Sequence, residues 1–291
     1  MAPRTAAAGV PAVTGAAAPT PARPEPGSPP RRATTATPLP ELADALAHRR
    51  WVRRERPFPH VVASNVFTPQ CYAVLDAEFR RIEAEHPETF HRNMAGYDAA
   101  GALLDRYRDG PLGLFVSRPW HDLLAGLFGV PATGDMTASL HHHDPGGASG
   151  WPHNDLNPGW FADPPAGRHD VRLPTDAPAS ARVGYHHGDR PPDVGARETV
   201  RAVSALFYLA NPEWEAGDGG ETALYAHPGD RVPRATVPPL PNSLVAFECT
   251  PYSWHGFVGN RAKPRNCVVM WVHRDRADVE RRWGAQSIVP W

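Results

Sequence analysis

The sequence predicts a mainly β domain with flanking helices, of the antiparallel sandwich or jelly-roll type. From Met136 onward, short runs of strand-forming residues alternate with turns that contain Gly and Pro, and no helical pattern separates them. Neighbouring strands without helical crossovers pair antiparallel, which argues against a parallel α/β sheet. The predicted strands span residues 136–143, 200–210, 221–226, 243–248, 255–258 and 265–273.

The helices are predicted in the first half of the chain, where they would pack against the sheet. Thr68 and Pro69 supply an N-cap and a first-turn proline for a helix that continues to about Glu85. Two further helices are predicted over residues 40–51 and 119–128, and a first strand is predicted within residues 57–67.

Two segments depart from this pattern. Residues 1–38 are mostly Ala, Pro, Thr, Gly and Arg, which cannot bury enough surface to offset the entropy of ordering, so we predict a disordered tail. The remainder, residues 39–291, is predicted to be a single domain. Within it, residues 158–198 are polar and rich in Pro, Gly and His. A loop of this length is usually functional or disordered, so we predict a lid-like insertion over a substrate, with a plain disordered insertion as the alternative.

The composition limits the class of partner. The chain has 291 residues, with 30 basic and 31 acidic side chains, so its formal charge is −1. This balance argues against nucleic acid or a membrane surface as partner and leaves a small molecule or a peptide. Three scattered cysteines fit neither a disulfide framework nor a Cys-x-x-Cys metal site. With no apolar run near the ~18 residues of a membrane span, a cytoplasmic location is predicted.

The segment SGWPHNDLNPGW, residues 149–160, contains the first candidate metal ligands. His153 and Asp155 are two residues apart, and on an extended backbone such residues point to the same face. One further imidazole would complete a 2-His-1-carboxylate site, which leaves octahedral positions open and suits Fe(II). The tripeptide alone is unspecific, and a solvated loop is the alternative.

The third imidazole is expected late in the chain. His255 follows the strand SLVAFE and a turn, and Arg265 opens the strand RNCVVMWV ten residues further on. Arg265 would share one face of that strand with Cys267 and Trp271. A buried guanidinium is costly unless a carboxylate meets it, and that carboxylate could belong to a ligand.

Four sequence elements together resemble the Fe(II)- and 2-oxoglutarate-dependent dioxygenases, in particular the prolyl 4-hydroxylase-like branch. In order, they are the H-x-D of His153 and Asp155, the strand end FYL-x-N at 207–211, GGET at 219–222, and His255 with Arg265 as H-x(9)-R. The resemblance covers roughly residues 130–275, and PFPHVV near residue 57 is also similar to the family. It implies a double-stranded β-helix, which is a jelly roll.

The resemblance also implies cofactors and roles. His153, Asp155 and His255 would be the catalytic iron ligands, and Arg265 and Tyr208 would hold the distal carboxylate of 2-oxoglutarate. His143 stands where related enzymes often carry a tyrosine that lines the cofactor pocket. Fe(II), 2-oxoglutarate and O2 would be required, with ascorbate as a supporting reductant. The remaining pocket candidates are Trp151, Asn157, Trp160, Thr222 and His141. Packing is the alternative for the two tryptophans, and an adventitious metal site or a solvated strand edge is the alternative for the tri-His run at 141–143.

The implied reaction is hydroxylation of an unactivated C–H bond in an amino acid, a peptidyl proline or a natural product, with release of succinate and CO2. The main alternative is a non-catalytic jelly roll that binds a metal or ligand, which would form no succinate. A zinc hydrolase is less favoured, because no general base is evident near the ligands and Arg265 would have no task.

Overall fold

The computed structural model describes residues 40–92, 98–175 and 182–290. These residues all belong to one unit, which spans Ala36–Trp291. The predicted tail, residues 1–38, lies outside the described residues, and so does the central part of the insertion, residues 176–181. None of the described helices has the length and apolar character needed to cross a bilayer.

The fold is a jelly roll of two antiparallel sheets, which confirms the predicted fold class. In chain order the strands are β1 (Val52–Arg54), β2 (His60–Ser64), β3 (Ala99–Leu103), β4 (Ala132–His143), β5 (Pro158–Ala162), β6 (Ala196–Tyr208), β7 (Thr222–Leu224), β8 (Ala235–Val237), β9 (Ser243–Glu248), β10 (His255–Phe257) and β11 (Arg265–Asp275). The larger sheet has the order β1-β2-β9-β6-β11-β4-β3, and β5 pairs with β6. The smaller sheet has the order β10-β7-β8.

The helices cover the larger sheet. They are α1 (Leu42–Ala45), α2 (Pro69–Glu85), α3 (Arg118–Phe128) and α4 (Arg276–Trp283), with 3-10 turns at Pro87–Thr89, Leu104–Tyr107, Pro111–Val116 and Ala285–Ser287. Helix α2 begins as predicted, because the Thr68 side chain accepts a hydrogen bond from the Cys71 amide at 3.3 Å. The buried residues of α2 and α3 join one core with the sheet.

Side chains alternate along the central strands. One face of the larger sheet therefore borders the apolar core, and the opposite face carries polar groups. On β11, Val268, Met270 and Val272 belong to the core under the helices. Arg265 and Trp271, which alternate with these residues, point to the other side of the sheet, where they contact Thr222 and Asp155. We call this second surface the inner face, and it carries the candidate site.

The first predicted helix is much shorter than expected. Helix α1 ends at Ala45, because Leu46 is extended and forms an isolated bridge with Phe67. The Ala47 amide then donates to the Val66 carbonyl at 2.9 Å. Pairing with the neighbouring segment therefore overrides the helical pattern of residues 46–51. Strands β1, β3, β5 and β8 and helix α4 were not predicted from the sequence.

The described parts of the insertion pack against the larger sheet. Arg172 exchanges two backbone hydrogen bonds with the start of β4, one from its amide to the Gly134 carbonyl at 2.9 Å and one from the Met136 amide at 3.0 Å. Val171 and Leu173 are buried in the main core. These contacts fix the residues just before the gap at 176–181. Pairing of β5 with β6 fixes the end of the insertion.

Candidate active site

Three side chains from two distant segments meet at one point. His153 and His255 form an isolated antiparallel bridge, with backbone hydrogen bonds of 2.9 and 2.8 Å. Asp155 lies beside both imidazoles, with its oxygens 3.8 Å from His153 Nε2 and 3.4 Å from His255 Nε2. The potential ligand atoms of the three residues all lie within 4.8 Å of one another.

The backbone orients both imidazoles for metal binding. His153 Nδ1 lies 2.9 Å from the Trp151 carbonyl, and His255 Nδ1 lies 3.0 Å from the Ser253 carbonyl. A carbonyl can only accept, so each Nδ1 carries the proton and each Nε2 presents its lone pair to the cluster. Burial, followed by the neighbouring His255, lowers the pKa of His153 to about 4, which keeps this ring in the neutral form that binds metals.

Asp155 is held by three donors. Arg201 Nη1 donates to Oδ1 at 3.1 Å, while Ser204 Oγ and Trp271 Nε1 donate to Oδ2 at 3.1 and 2.7 Å. Burial alone would raise the pKa of Asp155, but the Arg201 guanidinium, and after it the neighbouring His255, lower it well below its usual range. The backbone of Asp155 is left-handed, with φ at 57°.

An irregularity in β6 brings two of these donors to one face. Strict alternation would put Arg201 and Ser204 on opposite faces, because three positions separate them. The register against β11 shifts there, with Val272 opposite Val203 and His273 opposite Arg201. The extra residue, Ala202, turns the strand so that both side chains reach Asp155.

The other end of the inner face contains a buried guanidinium among hydroxyl groups. Arg265 is 2% exposed, and its Nη2 lies 3.3 Å from Thr222 Oγ1. The same hydroxyl lies 2.6 Å from the Tyr208 hydroxyl. His143 pairs with Arg265 across the strands, with Nε2 3.3 Å from Nη1, and its ring stacks on Phe257 at 4.0 Å. Burial and then Arg265 lower the pKa of His143, so its ring is neutral.

The residues present fit both expected groups. Two imidazoles and a carboxylate are the ligand set of a 2-His-1-carboxylate Fe(II) site, and the three ligand atoms lie close enough for one ion. At the other end, the fork of Arg265 and the hydroxyls of Tyr208 and Thr222 converge, which suits the oxygens of a carboxylate such as that of 2-oxoglutarate.

The remaining predicted pocket residues differ in their placement. The His141 ring lies 6.5 Å from that of Trp271, and among the described residues its buried Nδ1 has no hydrogen-bond partner. Trp151 is 47% exposed beside His153, with the two rings 6.4 Å apart. Asn157 uses its amide within the protein, donating to the Val289 carbonyl at 2.9 Å and accepting from Arg201 at 3.3 Å.

Trp160 requires a correction, because the structure does not bring it to the metal cluster. A Cβ on the preceding residue, Gly159, would point at Tyr185 and His273 on the inner face, so the Trp160 side chain points to the opposite face of β5. There it packs within the insertion, with the Arg190 guanidinium 5.1 Å from its ring.

Four residues that contribute to the site were not assigned from the sequence: Arg201, Ser204, Trp271 and Tyr185. Trp271 could have been found, because alternation from Arg265 already placed it on the inner face. Arg201 could not, since its position depends on the irregularity in β6. Tyr185 lies in an insertion without periodicity.

A match to one protein-family model agrees with this geometry. Residues 180–273 match the family model of the 2OG-Fe(II) oxygenase superfamily, a span that contains Tyr208, His255 and Arg265. A search among curated proteins found no match.

Solved structures similar to this chain include a Pseudomonas putida prolyl-4-hydroxylase, with 19% identity, coverage of 74% of this chain and 92% of that one, and a TM-score of 0.47. Another is a Trichoplax adhaerens prolyl hydroxylase in complex with a peptide fragment of the hypoxia inducible factor oxygen degradation domain, with 16% identity, coverage of 77% and 86%, and a TM-score of 0.49. A viral collagen prolyl hydroxylase from Paramecium Bursaria Chlorella virus-1, in a 2OG complex, has 12% identity, coverage of 74% and 94%, and a TM-score of 0.40.

The family match and the site describe the same chemistry. The enzyme is a 2-oxoglutarate-dependent dioxygenase that uses Fe(II), 2-oxoglutarate and O2. Over residues 180–273 the chain matches the 2OG-Fe(II) oxygenase superfamily, and the His153-Asp155-His255 cluster offers a metal site of the kind that this chemistry uses.

Proposed function

We propose that this enzyme is a hydroxylase of the prolyl 4-hydroxylase-like branch, which oxidises an unactivated C–H bond of an amino acid, a peptidyl proline or a natural product and releases succinate and CO2. One observation carries the proposal. The ligand cluster and the buried Arg265 lie at two ends of the same inner face, so that one co-substrate could contact both.

In this proposal His153, Asp155 and His255 hold the iron. Bound Fe(II) supplies the activation of O2, coupled to the oxidation of 2-oxoglutarate. The chain contributes two imidazoles with their protons fixed on Nδ1 and a carboxylate kept ionised by Arg201.

The other end of the inner face is proposed to hold the distal carboxylate of 2-oxoglutarate. Arg265 would donate from its fork, while Tyr208 and Thr222 would add hydroxyl donors. His143 would line this pocket and limit the movement of Arg265, with which it is in contact. Stacking on Phe257 holds the His143 ring in place.

The substrate is proposed to lie near His141 and Trp151. The buried Nδ1 of His141 can donate to or accept from a polar group of the substrate, depending on its tautomer. The half-exposed Trp151 ring beside His153 offers a flat apolar surface at the edge of the site. A peptide or a small molecule with polar groups fits these contacts. We further propose a cytoplasmic location.

Coupled succinate release tests the proposal. The enzyme is loaded anaerobically with Fe(II) and 2-oxoglutarate, O2 and ascorbate are admitted, and succinate is measured with free amino acids and with prolyl peptides. Succinate should form, and a true substrate should increase its rate and appear as a product heavier by one oxygen. If wild-type enzyme makes no succinate under any of these conditions, the chain is a non-catalytic binding module.

The matched controls are Asp155→Ala and Asp193→Ala. Asp193 is an exposed carboxylate that pairs with Arg182 at 3.0 Å on the surface. The first variant should make no succinate, and the second should behave like wild type.

A further inference from the structure

The insertion places the Tyr185 side chain on the inner face, where it reaches Arg201, a partner of Asp155. Strand β5 has a glycine, Gly159, at the point where Tyr185 crosses it. A Cβ at this position would lie 2.6 Å from the Tyr185 ring and 2.7 Å from His273, which is closer than real contacts allow. The Trp160 amide also donates to the Tyr185 carbonyl at 2.8 Å. Close packing on Gly159 and a backbone hydrogen bond therefore hold Tyr185 against β5.

The Tyr185 hydroxyl belongs to a directed chain of hydrogen bonds. Thr199 Oγ1 donates to the Gly159 carbonyl at 3.0 Å, so it accepts from His273 Nδ1 at 2.9 Å. With its proton on Nδ1, His273 accepts at Nε2, and the Tyr185 hydroxyl donates to it at 3.1 Å. The lone pairs of the Tyr185 oxygen are then available to Arg201 Nε, which lies 3.5 Å away.

Arg201 continues the chain to the metal cluster. Its Nη1 donates to Asp155 at 3.1 Å and to Asn157 at 3.3 Å, and its guanidinium plane lies 3.8 Å from the centre of the Trp271 ring. The guanidinium is 4% exposed, so its orientation depends on these contacts rather than on water. Tyr185 is the one member of this set that comes from the irregular part of the insertion.

We propose that Tyr185 is a positioning residue for the iron ligand Asp155. Its hydroxyl, oriented by His273, fixes the Nε side of the Arg201 guanidinium, and Arg201 in turn fixes one oxygen of the carboxylate. The inference rests on the proposed role of Asp155 as a ligand. It assigns Tyr185, and with it this part of the insertion, a task in supporting the metal centre.

The test is metal affinity rather than turnover. Tyr185→Phe removes the hydroxyl and keeps the ring that packs on Gly159. Tyr107→Phe is the control, since its hydroxyl makes a similar half-buried contact with Thr89 at 2.8 Å. Anaerobic titrations with Fe(II) and Co(II) should show about 3- to 10-fold weaker binding for Tyr185→Phe, somewhat less than is typical for direct partners of a ligand. Tyr107→Phe should bind like wild type.

A double variant with Arg201→Lys distinguishes a positioning role of Tyr185 from a general loss of stability. If Tyr185 acts through Arg201, then Tyr185→Phe should cause no further loss of metal affinity in an Arg201→Lys enzyme, although both single variants bind more weakly. Equal affinities of wild type and Tyr185→Phe, within twofold, would overturn the inference, and so would an unchanged effect in the Arg201→Lys background. Failure of the wild type itself to bind metal would instead overturn the proposed function.

Discussion

The two ends of the inner face each contain a buried guanidinium, and they differ in what meets it. Arg201 is 4% exposed and contacts Asp155, a carboxylate of the chain itself. Arg265 is 2% exposed and contacts the hydroxyl of Thr222, the ring of His143 and the sulfur of Cys267. Since a carboxylate stabilises a buried cation well, Asp155 completes the Arg201 end from within the chain. We expect a carboxylate of 2-oxoglutarate to bind at the Arg265 end, beside the contacts just named.

The largest effect is expected at the Arg201 end of the inner face, where the guanidinium pairs with Asp155. Asp155→Ala removes a proposed metal ligand and leaves Arg201 without that carboxylate, so turnover should fall below detection. Breaking a buried ion pair should also lower the free energy of unfolding by about 3 kcal/mol. Succinate assays and urea unfolding check the two expectations. Wild-type turnover in this variant would show that Asp155 is not a ligand.

A substitution at the opposite end should separate the two sites. Arg265→Gln should raise the Kd of 2-oxoglutarate by about 100-fold, because charge-assisted bonds to a carboxylate are lost. The Kd of Fe(II) measured without 2-oxoglutarate should change less than about twofold, because Arg265 is not among the proposed ligands. Calorimetric titration measures both constants, and the exposed Arg182→Gln is the control. A large loss of iron affinity would mean that the two ends are not independent.

A methyl group added at Gly159, between β5 and Tyr185, should weaken metal binding at the Arg201 end of the inner face and leave the Arg265 end unchanged. Gly159→Ala would force Tyr185 and His273 apart and should lower the free energy of unfolding by about 1–3 kcal/mol. It should also weaken metal binding in the same direction as Tyr185→Phe. In the control, Gly126→Ala in α3, a Cβ meets nothing within 4 Å, and stability should rise by up to about 1 kcal/mol. If Gly159→Ala bound metal as tightly as the control Gly126→Ala, that result would contradict the role of Tyr185.

The smallest effect is expected on the helix-covered face of the larger sheet, which the tri-His run of β4 allows us to compare with the inner face. His141 and His143 face inward and have lowered pKa values, whereas the pKa of His142, on the other face, is raised to about 9, first by its hydrogen bond with Glu83. Asp144, 3.1 Å from its Nε2, adds to the shift.

Because the pKa of His142 is higher in the folded state than the usual 6.5, its stabilisation is complete below about pH 6.5 and is lost as the pH rises through 9. The stability difference between wild type and His142→Gln should therefore shrink by about 1–2 kcal/mol between these pH values. Urea unfolding across the pH range measures it. A difference that is constant with pH would contradict the proposed ion pair.

The sequence predicted the parts of the molecule that follow regular patterns. The N-cap at Thr68 and the strands that contain Tyr208, His255 and Arg265 are local signals, and the H-x-D and H-x(9)-R spacings carried the resemblance. The structure brings His153, Asp155 and His255 together as that resemblance implied.

The rest depends on contacts that no local pattern encodes. Arg201 reaches Asp155 only because Ala202 is an extra residue in β6, and alternation alone would have placed it on the wrong face. Tyr185 reaches Arg201 because the insertion folds back over Gly159, a tertiary contact between residues far apart in the chain. The unpredicted short strands likewise form through pairing with neighbours rather than through their own propensity.

The most direct test of the central claim is an anaerobic calorimetric titration of Fe(II), followed by 2-oxoglutarate, into wild type, His255→Ala and Arg265→Gln. Wild type should bind one Fe(II) and then one 2-oxoglutarate per chain. His255→Ala should lose the iron, and Arg265→Gln should keep the iron but lose 2-oxoglutarate. If wild type binds neither ligand, or if both variants bind iron and 2-oxoglutarate as wild type does, then the two ends of the inner face do not form one oxygenase site.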